Sequence, residues 1–123
     1  SGKVVCTGAR TMENVRLSIN KIIKSLEKIN IKITVKPEIK IQNIVASGSI
    51  NLTLNLNTLA LELENTEYEP EQFPGLVYKL VDPPATFLLF SNGKLVCTGT
   101  KNKQQLEESI RQLNHNIRAA IKK

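Results

Sequence analysis

The first ten residues, SGKVVCTGAR, return near the other end of the chain as NGKLVCTGTK, identical at six of ten positions and with Arg10 matched by Lys101. Gly2 falls on Gly93, an offset of 91 residues, and the likeness continues as pattern, with Ile19 on Ile110 and Leu26 on Ile117. So long a period exceeds a solenoid unit and points to two fused copies of a subdomain. Two copies at that offset do not fit in 123 residues. The expected organisation is the C-terminal strand and helix of a first copy, residues 1–37, followed by a complete second copy, residues 38–123. On this reading the front of the first copy is missing, and the chain is a truncated form.

A chain of this length is the usual size of one domain and can bury a core without disulfide or metal staples. No apolar run approaches the ~20 residues of a membrane span. The first residues are charged and strand-like rather than a leader, so an intracellular protein is expected. Cys6 and Cys97 occupy the same place in the two copies. They lack His or Cys partners at metal-ligand spacing, and two buried thiols packing as small hydrophobes are expected. A disulfide between them would be unusual inside a cell. No cofactor is expected.

The net charge of +6 is unevenly spread. Residues 1–37 hold eight Lys/Arg against two Glu, and residues 92–123 hold seven against two. The middle, residues 38–91, holds two Lys against seven acids. Basic blocks suit a polyanion, although lysines on helices also serve solubility alone.

Periodicity sets the elements. Residues 3–7 alternate as a short strand. Residues 12–29 put Val15, Ile19, Ile22, Ile23 and Leu26 on one helical stripe. IKIQNIVA, residues 39–46, reads as a strand. A short helix is expected around Leu56–Leu63, capped by Asn55 or Asn57. NTEYEPEQFPG is loop. GLVYKLV, ATFLLF and GKLVCTG read as three strands separated by DPP and SNG turns. Asn102 and Gln105 form a capping-box pattern before a last helix striped by Leu106, Ile110, Leu113 and Ile117. The fold class is α+β, an antiparallel sheet with long helices against one face.

A sheet covered on one side should alternate apolar and polar residues. These strands do not. Leu88 and Phe90 point one way and Phe87 and Leu89 the other; Leu95 and Cys97 share one face, Val96 and Thr98 the opposite one. Helices cover only one face, so the other needs a partner. An enzyme is disfavoured: there is no nucleophile–base pair and no phosphate-cradling glycine loop. A pocket protein using the apolar face for a small ligand is the weakest reading.

EYEPEQFPGLVYKL and LLFSNGKLVCTG, with IQNIV upstream, closely resemble the second repeat of the TATA-box-binding protein family in its archaeal form. The likeness spans residues 39–121 as a full repeat and 1–37 as the tail of the first. It implies a saddle, a curved ten-stranded sheet whose concave face enters the DNA minor groove. By resemblance, Phe73 and Phe90 align with the wedge pair. Asn43, expected on the strand face of Val45, aligns with an asparagine that donates to minor-groove acceptors. Val45, Leu88, Val96 and Thr98 would line the groove-facing surface, with Val5 and Thr7 as counterparts in the first copy. Lys79, Lys94 and Lys3 align with phosphate-contacting positions. Glu69, Glu71 and Gln72 align with the loop offered to transcription factor B.

The sequence also departs from the family pattern. In the VDPPA turn Pro84 stands where a basic residue is common, and Thr100 replaces a usual alanine. The resemblance implies a transcription initiation factor for double-stranded TATA promoter DNA, working with transcription factor B and RNA polymerase. The compartment implied is cytoplasmic and nucleoid-associated in an archaeon, nuclear in a eukaryote. Missing first-repeat strands would weaken DNA binding, leave it strongly salt-dependent, and leave strand edges through which two copies would form a homodimer. A fragment that binds transcription factor B with little DNA affinity is the alternative.

Overall fold

The computed structural model describes residues 2–34 and 36–122 and separates the chain into two units, Ser1–Ile39 and Lys40–Lys123.

In the first unit, helix α1 spans Met12–Lys28. Thr11 caps it, its Oγ1 accepting the Asn14 N–H at 3.1 Å. Glu13 in the first turn and Lys28 in the last complement the helix dipole. The helix stops where Asn30 turns to φ 67°. Asn30 N then donates to Glu27 O at 3.1 Å and Ile31 N to Leu26 O at 3.0 Å. That pair of bonds is a Schellman ending, with asparagine in the place more often held by glycine. No residue of α1 is buried. Residues 3–7 do not form the expected strand. A strand is held by ladder bonds to a neighbour, and no other strand exists among the described residues of this unit.

The second unit is a five-stranded antiparallel sheet in the order β1-β5-β4-β3-β2. The strands are β1 (Ile44–Ser49), β2 (Thr66–Glu67), β3 (Leu76–Leu80), β4 (Ala85–Leu89) and β5 (Lys94–Thr100). Helices α2 (Leu56–Glu62) and α3 (Lys103–Ile121) complete it. The architecture is the expected α+β class. Two boundaries differ from expectation. β1 starts at Ile44 rather than residue 39: Ile44 pairs with Thr100, where β5 ends, across a bulge that separates this pair from Ala46–Cys97. β2 lies inside the segment expected to be loop; only two residues pair, Thr66 with Tyr78 and Glu67 with Val77.

Asn55, not Asn57, caps α2, accepting the Thr58 N–H at 3.1 Å. Asn102 caps α3, accepting the Gln105 N–H at 2.8 Å. The Gln105 side chain reaches back one residue further than a capping box requires, to Lys101 N at 3.1 Å. The β4–β5 turn closes through Phe90 N to Lys94 O (3.0 Å) and Gly93 N to Phe90 O (2.9 Å). Gly93 has φ 86°, and a Cβ there would run into the Leu52 carbonyl, so this position is restricted to glycine twice over.

Cross-strand pairing sorts the core. Ala46, Cys97, Phe87 and Tyr78 form one row across β1, β5, β4 and β3, and Gly48, Leu95, Leu89 and Leu76 form the next. Phe87, Leu89, Leu76 and Cys97 are fully buried, as are Leu113 and Ile117 of α3 and, within 1%, Leu59 of α2. Burying each large side chain stabilises by about 2 kcal/mol. α3 also reaches the sheet through a hydrogen bond, Asn116 Nδ2 donating to Tyr78 Oη at 2.9 Å.

Candidate nucleic-acid interface

The residues between those core rows point the other way. Ser47, Val96, Leu88 and Val77 pair across β1, β5, β4 and β3 as a row that is aliphatic from Val96 to Val77. Thr98, Thr86 and Lys79 form a polar row on one side of it. On the other side Ser49 pairs with Lys94, and Phe90 bonds back to Lys94 through the turn. Along β4 buried and half-buried residues alternate, so each inward side chain is followed by one the helices do not cover. Val96, Leu88, Val77, Thr86, Thr98 and Phe90 are all half-buried. Both faces of the sheet are therefore apolar, as the strand pattern predicts, and Leu89 and Cys97 rather than Phe90 and Val96 lie beneath the helices.

Asn43 does not sit in a strand; it immediately precedes β1. Its Oδ1 accepts the Gly99 N–H at 2.7 Å and its Nδ2 donates to Thr98 Oγ1 at 3.0 Å. Gly99, at φ 96°, is the backbone adjustment of the bulge, and Asn43 satisfies the N–H the irregular ladder leaves over. Val45, opposite the bulge, is 67% exposed.

Phe73 and Phe90 meet edge to face, ring centroids 5.9 Å apart and planes at 67°, a favoured aromatic geometry. Phe73 is 39% exposed. Directly before it the chain turns, with Gln72 N and Phe73 N both donating to Glu69 O at 2.9 and 3.0 Å. Glu69, Glu71 and Gln72 are exposed on that turn. Lys79 and Lys94 are exposed, at opposite ends of the sheet's outer face.

Lys3, Val5 and Thr7 belong to the first unit, exposed and in no strand. Cys6 is exposed and Cys97 buried, and both are free thiols. The expectation of two buried thiols therefore holds for Cys97 alone: Cys6 has no strand neighbours to cover it. Burial pushes the Cys97 thiol pKa above its ordinary value.

Val77, Thr86 and Ser47 share this face without having been singled out from the sequence. The alternation in GLVYKLV and ATFLLF already carries the first two, since Val77 alternates with Tyr78 and Thr86 with Phe87. Among the described residues no His/Cys/Asp/Glu group is arranged to hold a metal ion, and no helix is long and apolar enough to cross a membrane.

The profile of the family described as "Transcription factor TFIID (or TATA-binding protein, TBP)" matches residues 38–120. The TATA-box-binding protein of Methanobrevibacter smithii is 53% identical over 110 residues, covering 89% of this chain and 61% of that protein. That of Methanothrix thermoacetophila is 53% identical over 114 residues, covering 90% and 62%. The solved structure titled Methanococcus jannaschii TBP superposes with a TM-score of 0.86 at 44% identity, over 94% of this chain and 68% of that one. The chain spans about three fifths of the length of these two curated relatives.

Proposed function

The chain belongs to the TATA-binding protein family, and from that premise we propose that the outer face of its sheet binds the minor groove of A·T-rich promoter DNA. That family is one of transcription factors rather than enzymes. The observation that carries the reading is the aliphatic row Val96–Leu88–Val77, half-buried on a face no helix of its unit covers. A·T pairs present only acceptors in the minor groove, whereas G·C pairs add an amino group. A smooth aliphatic row fits the first and collides with the second.

The flanking rows supply the remaining functions. Phe73 and Phe90 act as the wedge that unstacks a base step and kinks the duplex, a mechanism for which the TATA-binding proteins are a standing example. Kinking costs least at flexible steps such as TA, so sequence is also read through deformability. Asn43 and Thr98 donate to groove acceptors. Lys79 and Lys94 neutralise phosphates; in the first unit, the tail of a first repeat, Lys3 serves as a further phosphate contact and Val5 and Thr7 as further groove contacts. The exposed Glu69–Gln72 turn recruits transcription factor B, and through it RNA polymerase.

A gel shift at low salt with a TATA duplex and a G·C-rich duplex of equal length tests the DNA reading. Preference for TATA is expected; equal affinity overturns it. Charge reversal at Glu69 and Glu71 tests the recruitment: transcription factor B is lost from the DNA complex while binary DNA binding persists. Retention of the factor removes that role from the turn.

A further inference from the structure

Gly75 is buried at the entrance to β3, and its backbone lies outside the positive-φ region. Its conformation therefore suits any residue, and the reason for glycine has to be space. A Cβ would stand 2.8 Å from Phe73 Cε2, 3.0 Å from Phe90 Cε1 and 3.3 Å from the Leu89 carbonyl oxygen. The two tightest neighbours are the edges of the two rings that meet at 5.9 Å. The rings thus converge on the one position in this stretch that has no side chain.

We propose that Gly75 is a positioning residue for the phenylalanine pair, whose bare Cα seats both rings as a single preassembled wedge. The inference rests on the minor-groove reading above. Two rings assembled only on contact with DNA would have to be ordered at that moment, which weakens binding. Rings already locked edge to face carry no such cost. A methyl group at position 75 displaces the rings before it disturbs the core, because neither Phe73 nor Phe90 belongs to the buried cluster and Phe73 is 39% exposed. The fold is kept and the wedge is splayed.

The test uses the full chain as Gly75→Ala, Phe73→Leu and the double variant. The probe is a TATA duplex carrying 2-aminopurine at the kinked step, whose emission rises when the base is unstacked. Gly75→Ala is expected to lower affinity about fivefold, the scale of an aromatic-pair contact, and to suppress most of the emission rise, with little change in the urea midpoint. In the Phe73→Leu background, where Cε2 is gone, Gly75→Ala is expected to add little further loss. Gly75→Ala with wild-type affinity and emission overturns the proposal. So does an equal additional loss in both backgrounds, or a Gly75→Ala chain that no longer folds, since then the core has yielded instead of the rings. If the unmutated chain shows neither TATA preference nor an emission rise, the minor-groove reading itself falls; if it shows both and Gly75→Ala is silent, only the seat is lost.

Discussion

Asn43 Oδ1 accepts the backbone N–H of Gly99 at 2.7 Å, across 56 residues of sequence. That bond fixes which end of the amide is the acceptor, so Nδ2 is left facing Thr98 Oγ1 at 3.0 Å. Because Thr98 Oγ1 accepts there, its own proton is directed elsewhere, and the pair offers donors to a ligand. Asn43→Ala is expected to cut the preference for A·T over G·C duplexes about tenfold, the scale of a good polar base contact. Asn43→Asp keeps an acceptor for Gly99 but sets a carboxylate against the duplex, and should bind more weakly still with the fold intact. Competition gel shifts read both; unchanged discrimination in Asn43→Ala removes the asparagine from the site.

Lys79 and Lys94 are exposed on the outer face. Each Lys→Ala change is expected to lower affinity for all duplexes alike. The slope of log affinity against log salt should become shallower by about one per lysine. Titrations between low and moderate salt measure this; an unaltered slope means that lysine meets no phosphate.

Thr100 is fully buried, and its hydroxyl has no hydrogen-bond partner among the described residues. A buried unpaired hydroxyl costs free energy that an apolar group of the same shape does not. Ala9 stands at the equivalent place of the repeated segment. Thr100→Val is expected to raise the unfolding free energy by about 1 kcal/mol, seen as a higher urea midpoint at constant m-value. A lower midpoint would show that the hydroxyl is satisfied.

Cys97 is fully buried and its thiol pKa is raised by that burial, whereas Cys6 is exposed. A thiol reagent at neutral pH should modify Cys6 at once and Cys97 only on unfolding. The unfolded chain releases the Cys97 proton near the ordinary value of 9.0, while the folded chain retains it to higher pH. Above 9.0 the unfolded state therefore binds fewer protons, and stability falls with pH. The contribution is complete below that value and is lost as pH rises through the folded one. Urea midpoints at neutral and alkaline pH, compared with Cys97→Ala, isolate it; parallel curves for the two proteins would show no linkage at this thiol.

Much of the second unit was legible from pattern. β3, β4, β5 and α3 each repeat a period over several residues, and their inward and outward sets follow from counting. The start of β1 and the existence of β2 were not, for separate reasons. Asn43 looks like strand sequence, but its partner β5, far along the chain, ends at Thr100 opposite Ile44, and the ladder stops there. β2 is two residues long, too short to show any period. Residues 3–7 alternate as a strand should, yet alternation supplies no partner. Within the site, the faces of Leu88, Val96 and Thr98 were readable. The meeting of Phe73 and Phe90 over Gly75 was not, because it depends on where a turn delivers one ring relative to the other.

A strand that is greasy on both sides has an uncommon weakness: sliding by one residue exchanges its two faces at little hydrophobic cost. Polarity does not protect β4 and β5 against that mistake, so alignment must be policed from their ends. The Gly93 turn, wedged against the Leu52 carbonyl, sets one end. The Gly99 kink, clasped by Asn43, sets the other. The asparagine that would greet the base pairs is thereby also a proofreader of how the chain folds.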